Sequence, residues 1–257
     1  MRIINKLIIS AFMLIALMLC SSCEKEEDIP IPIPQWGDVK VEFNYVFGSS
    51  GVPWDVNLKL RHPKTGDTLT FTEFSFYVSN VRLKNEDGTW WSEPESYHLV
   101  CATCINKNYF TITEVPEGNY TEMEFLFGVD SARNVSGPQT GDLLPNMGMF
   151  WDWTNGYIML KAEGLSPQSS DGTFSFHLGG YSGEDNLVMQ RTFTLGGNIA
   201  AVGPSIATPT LVFRANPARL WHSSPGVSSR NSIDTPGPEA KAMATDFYTN
   251  VTFLEIK

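Results

Sequence analysis

Val39-Lys40-Val41-Glu42-Phe43-Asn44-Tyr45 alternates apolar and polar side chains with period two, the pattern of a strand with one buried face. Val56-Asn57-Leu58-Lys59-Leu60 repeats it. Phe74 to Leu83 (FSFYVSNVRL) reads as a long strand, followed by an Asn85-Glu86-Asp87-Gly88 turn before Trp90-Trp91. Further strands are expected over 96–100, 109–112, 120–129, 156–163, 173–178, 188–195 and 208–212, with a last one over 249–256. Residues 71–74 read as one short turn, and 239–247, opening after Pro238, as the best helix. Strands at roughly 10–15-residue spacing predict an all-β domain, an antiparallel β-sandwich of jelly-roll or immunoglobulin-like type with at most one or two short helices. Two long polar loops, 134–148 and 217–238, are placed where function often resides.

Composition agrees with this reading. The 257 residues are 42% hydrophobic and 18% charged, enough for one substantial core. Sixteen Pro and 21 Gly favour short strands joined by turns over a helical bundle. The net charge of −10, without a basic cluster, argues against nucleic acid as a partner.

The N-terminus reads as an export signal. Arg2 and Lys6 precede an apolar run from Leu7 to Leu19, too short to span a bilayer and suited to a signal-peptide core. Leu19-Cys20-Ser21-Ser22-Cys23 resembles the bacterial lipobox, with Cys23 as the lipidated residue, because small residues precede it and Leu19 precedes Cys20. The expected organisation is a signal peptide over 1–22, a tether over 23–38 and one β domain over 39–257. Cys23-Glu24-Lys25-Glu26-Glu27-Asp28 is similar to the surface-export signal of Bacteroidetes lipoproteins, and equally to a plain solvated tether. Ile29-Pro30-Ile31-Pro32-Ile33-Pro34 reads as an extended spacer. These features imply an outer-membrane lipoprotein, on the periplasmic or cell-surface face, held to the membrane by the lipid on Cys23.

No nucleotide loop, nucleophile elbow or zinc-protease helix is present. Cys101-Ala102-Thr103-Cys104 has the spacing of a redox motif. In an exported chain it reads rather as a structural disulfide, or as two thiols without a role. The densest segment is Gly141 to Gly164, where Met147, Met149, Trp151, Trp153 and Asn155 share one face if the strand is regular. The plain alternative is that these side chains are core anchors. In Thr173 to Gly180 the apolar face takes Phe174, Phe176 and Leu178, which leaves His177 beside Thr173 and Ser175, placed for ligation.

Three stretches together, Phe125-Leu126-Phe127-Gly128-Val129-Asp130, Met149-Phe150-Trp151-Asp152-Trp153-Thr154-Asn155-Gly156-Tyr157 and Phe176-His177-Leu178-Gly179, resemble the MbnP-like family over about residues 39–253. These are extracytoplasmic copper proteins associated with methanobactin handling. The resemblance implies a β-rich domain that binds copper through histidine, helped by a kynurenine made from a tryptophan by a dihaem peroxidase-like partner. His177 matches the His-Leu-Gly histidine, and Trp151 and Trp153 match the paired tryptophans, either of which is a candidate for modification. Two departures stand out: Asn134-Val135 occupies the place of the family's Asn-His, and Tyr181-Ser182-Gly183 lacks the family's cysteine. Met147, Met149, His98 and His222 are the candidate replacement donors.

The resulting expectation is a non-enzymatic copper-binding lipoprotein with its site near His177 and Trp151/Trp153. The alternative is a surface or adhesion module that has lost the metal and binds glycan or another envelope partner through Trp54, Trp90 and Trp91. An enzyme is the weakest reading. Asp130, Asp142, Asp152 and Glu163 supply carboxylates, but no spacing rule selects a catalytic pair among them.

Overall fold

The longest strand, Thr68–Asn85 (β4), organises the molecule. The computed structural model describes residues 35–257 except Trp153, so the signal peptide, Cys23 and the tether through Pro34 lie outside the described residues. Before β4 come Trp36–Phe47 (β1), Val52–Pro53 (β2) and Lys59–Arg61 (β3). After it come Trp90–Ser92 (β5), Tyr97–Cys101 (β6), Tyr109–Pro116 (β7), Gly118–Phe127 (β8) and a helical turn, Ser131–Asn134 (α1). Then follow Phe150–Asp152 (β9), Gly156–Leu165 (β10), Thr173–Gly179 (β11), Met189–Thr194 (β12), Ala200–Val202 (β13) and Thr210–Ala215 (β14). Ser232–Ile233 (β15), the helix Pro238–Thr249 (α2) and Thr252–Ile256 (β16) complete the chain.

One edge of β4 pairs with β10 and then β8, and the other with β3, β6 and β5. β11 extends the sheet beyond β10, and β12 and β13 extend it beyond β8. The facing sheet is built on β1, which pairs with β7, β2 and β14, with β16 beside β14. The fold is thus an all-β sandwich with two short helices. Most pairs are antiparallel as expected, but β1/β14 and β11/β15 are parallel.

Two bulges explain where β4 departs from the sequence pattern. Opposite β10, Glu73 pairs with Glu163 but Phe71 with Gly164, so Thr72 is the extra residue. Phe71 and Phe74 therefore face the same core although three residues apart, which imitates a helical turn; residues 71–74 are strand. A second irregularity falls at Asn80, with φ +52, and returns Val81 and Leu83 to the core. The 56–60 stretch is shorter as strand than its pattern suggests, because Asn57 turns through φ +66 and β3 begins only at Lys59.

The core is aromatic. Phe76 meets Phe43 of the facing sheet edge-on at 5.1 Å, and Phe43 stacks on Phe213 at 5.6 Å. α2 places Ala240, Met243, Ala244, Phe247 and Tyr248 inward at helical spacing, and Phe247 contacts Phe74 and Phe76 at 5.2 and 5.3 Å. Trp54 is enclosed edge-on by Tyr45, Phe71 and Phe74 and is only 6% exposed, so it offers no stacking plane for a sugar. Trp90 and Trp91 are half-buried, with Arg82 over the Trp90 ring at 4.8 Å. Phe74→Ala is expected to lower unfolding free energy by about 3–5 kcal/mol, the cost of a buried phenylalanine and its cavity. Urea denaturation measures it, and a loss below about 1 kcal/mol contradicts the central role given to this ring.

Candidate metal site

The tryptophan segment folds as a short hairpin. β9 pairs with β10 through Asp152 opposite Gly156 and Phe150 opposite Tyr157. Asp152 closes the turn: its Oδ1 accepts the backbone N–H groups of Asn155 and Thr154 at 2.7 Å, and Oδ2 accepts the Asn155 amide at 3.0 Å. These bonds hold its carboxyl below the usual aspartate range. Gly156 must be glycine, since φ is +77 and a Cβ would stand 2.3 Å from Asn134 Oδ1.

Asn134 clamps this hairpin to α1. It is buried; its Oδ1 accepts the Tyr157 N–H at 3.0 Å, while Nδ2 donates to the Val129 and Asp130 carbonyls at 2.8 and 3.0 Å. Asp130 caps α1 by accepting from Arg133 N at 3.0 Å and also takes the Tyr97 hydroxyl at 2.6 Å. Burial alone would raise its pKa, but these bonds outweigh it and hold the carboxyl low. Ser131 Oγ donates to the Tyr181 carbonyl, and Tyr181 OH reaches the Thr154 carbonyl at 3.3 Å. Thus α1, the hairpin turn and the chain leaving β11 meet at one place.

His177 stands on the outer face of the same sheet with Thr173 and Ser175, as the sequence predicts. Its half-buried ring donates from Nε2 to Glu163 Oε1 at 2.6 Å, and Ser175 Oγ lies 3.3 Å from the same nitrogen. Lys161 Nζ approaches Glu163 Oε1 at 3.4 Å. Burial would raise the Glu163 pKa, but the His177 bond and the Lys161 charge together hold it below the ordinary value of 4.5. Two residues along β11, roughly 7 Å away on the same face by strand alternation, Gly179 receives the Trp151 indole; a Cβ there would stand 2.4 Å from Trp151 Cζ3. The fold therefore brings Trp151 and His177 to one strand face although 26 positions separate them in the chain.

The other candidates disperse. Met147 does not share a regular strand face with Trp151, because residues 145–147 form a 3-10 turn and Gly148 is left-handed. Met147 is exposed, and Met149 is buried as a core anchor. Trp153 lies outside the described residues, so its place on that face is not described. His98 points to the opposite face of the sheet, stacked on Phe110 at 3.9 Å and bonded to Glu93 at 2.8 Å. His222 lines a separate cavity with His62. His62 is buried with both nitrogens engaged, to the Ala218 carbonyl and the Thr65 N–H; burial lowers its pKa. Val135, where a second imidazole would stand, is 69% exposed. No group of three His, Cys, Asp or Glu side chains converges among the described residues. Of the histidines, only His177 stands here, with Nε2 held by the Glu163 carboxylate; Nδ1 is the one imidazole nitrogen it would offer a metal, and no second histidine joins it among the described residues. Cys101 and Cys104 are joined by a disulfide at the end of β6.

A two-sheet β-sandwich carrying an indole and a carboxylate-held imidazole on one strand face is the class of protein this geometry defines. The MbnP family model matches residues 36–236, and the chain belongs to that family. Among solved structures, MbnP from Methylosinus trichosporium matches at 15% identity with a TM-score of 0.49, over 79% of this chain and 82% of that one. No curated protein gives a match.

Because the Glu163 carboxyl is held below its ordinary pKa, its stabilisation is present above about pH 4.5 and is lost as pH falls through the lower folded value. Glu163→Gln is therefore expected to flatten the acid limb of stability between about pH 5 and 3, by less than about 1 kcal/mol for so solvated a pair. Urea midpoints across that range measure it; parallel limbs for both proteins would contradict the pairing.

Proposed function

We propose that this chain is a non-enzymatic, lipid-anchored copper-binding member of the MbnP family, displayed at the outer membrane for acquisition or sequestration, with His177 as its nitrogen ligand. The observation that carries this reading is the Glu163–His177 pair. A metal-bound imidazole commonly donates its second N–H to a carboxylate, which fixes the ring and raises the basicity of the ligating nitrogen. Here the 2.6 Å bond from Nε2 leaves the Nδ1 lone pair for a borderline or soft ion. Trp151, seated on Gly179 of the same strand, supports the second half of the reading, an indole oxidised to kynurenine by a dihaem peroxidase-like partner. Trp153 is the other candidate for that oxidation, and Met147 a sulfur donor only if its 3-10 turn moves toward β11.

One observation favours a second reading, a surface module that has lost the metal. Val135 is exposed and carries no donor, and Lys161 stands across from His177 in the strand register, a cation next to the place a cation would occupy.

Copper titration against a competing chelator separates the two. Wild type is expected to bind one equivalent weakly, His177→Ala at least about tenfold more weakly, and Val135→His at least about tenfold more tightly, since a second nitrogen donor is added at an exposed position. Equal weak binding by all three proteins would leave the metal-free reading. Intact mass of protein from its native host is expected to show lipid on Cys23 and, at Trp151 or Trp153, the net exchange of one carbon for one oxygen that turns tryptophan into kynurenine; an unlipidated, unmodified chain would remove anchoring and kynurenine alike.

A further inference from the structure

The Cys101–Cys104 disulfide lies beside a cleft of about 570 Å³, within the range of small-molecule sites. Cys104 lines this cleft, with Asn108 from the same loop, Asn44 and Tyr45 of β1, Asp55 and Arg214. The two sulfurs are unequal. Cys101 is 1% exposed and Cys104 belongs to an exposed loop. The Cys104 backbone N–H donates to Cys101 Sγ at 3.0 Å, and Thr103 Oγ1 lies 3.2 Å from that sulfur. Thr103 is itself held by Glu73, to which its hydroxyl donates at 2.7 Å. Arg214 is exposed, and its guanidinium makes no hydrogen bond or ion pair among the described residues. Asp55 lines the same cleft as its anionic side chain, with Oδ1 accepting the Val56 N–H at 2.8 Å.

The geometry points to a thiol–disulfide exchange site at which a carboxylate-bearing thiol docks in this cleft and attacks Cys104. The attacking thiolate forms a bond to Cys104 Sγ, the Cys101–Cys104 bond breaks, and its electron pair leaves on Cys101 as a thiolate. An N–H aimed at the departing sulfur stabilises that charge, and a stabilised leaving group leaves faster. A second equivalent of thiol then attacks the substrate sulfur of the mixed disulfide and releases Cys104 as a thiolate. Two thiols are oxidised to one disulfide, and the protein takes up the two electrons. Arg214 gives the cleft its selectivity, because an unpaired guanidinium attracts a carboxylate and repels an ammonium. The site is stoichiometric, and it is independent of the metal reading because neither His177, Glu163 nor Trp151 takes part in the exchange; Glu73, the cross-strand neighbour of Glu163, only holds Thr103.

The test incubates the oxidised full-length protein with reduced glutathione, an anionic thiol, or with cysteamine, a cationic one, under native conditions. Free thiols are then alkylated and the adduct is located by mass spectrometry, with tryptophan fluorescence reporting that the fold persists. The mixed disulfide is expected on Cys104. Arg214→Gln, at an exposed position, is expected to lower the ratio of glutathione to cysteamine rates by about threefold or more. An adduct on Cys101, reduction only in denaturant, or an unchanged rate ratio in Arg214→Gln would each overturn the proposal.

Discussion

Edge-on contact between Phe76 of β4 and Phe43 of β1 joins the two sheets, and most of the remaining order follows from it. β4 can present a continuous aromatic face to that contact only because it is bulged at Thr72 and Asn80, where the pleat is reset and the next side chains return inward. Phe71, Phe74 and Phe76 then make one ring cluster with Trp54, Trp221 and Phe247. The same pleat turns Glu73 and Ser75 outward, into register with Lys161 and Glu163 of β10 and so with His177 of β11. The polar face of the site is thus the reverse side of the core, and its spacing is set by strand pairing.

Much of this was legible in the residues, because strand alternation is a local signal. Val39 to Tyr45, Phe74 to Leu83 and Thr173 to Leu178 all lie in strands, and the helix after Pro238 runs through Thr249. Where the reading departed from the structure, a non-local cause is visible. Phe71 and Phe74 imitate a helical turn because a bulge is defined by the partner strand, which sequence spacing does not name. Met147 and Trp151 look like neighbours on one face until the left-handed Gly148 breaks the strand between them. Trp54 looks like an exposed stacking plane because its three ring partners come from β1 and β4.

The candidate site divides along the same line. That His177 faces away from the core followed from alternation within β11. That Trp151 rests on Gly179 depends on β9 folding back beside β10, and only the missing Cβ of that glycine hinted at it. The Glu163–His177 bond was hidden too, although both residues were singled out separately; cross-strand register couples them. Asn134 was noticed only as the neighbour of a substituted position, whereas it is the clamp that holds α1 to the hairpin.

That clamp bears on what a valine at 135 means. Asn134 uses its carbonyl and its amide to satisfy backbone groups of two elements, and buried groups left without partners cost about 1–3 kcal/mol each. The fold therefore constrains residue 134 strongly. Residue 135, 69% exposed at the end of α1, is held by no such requirement, so a ligand there is lost or gained without penalty to the fold. His177 sits between these cases. Its bond to Glu163 gives the imidazole a structural reason to remain whether or not it holds a metal. The scaffold and the ligand set are thus separable in this protein, and belonging to the family fixes the first without fixing the second.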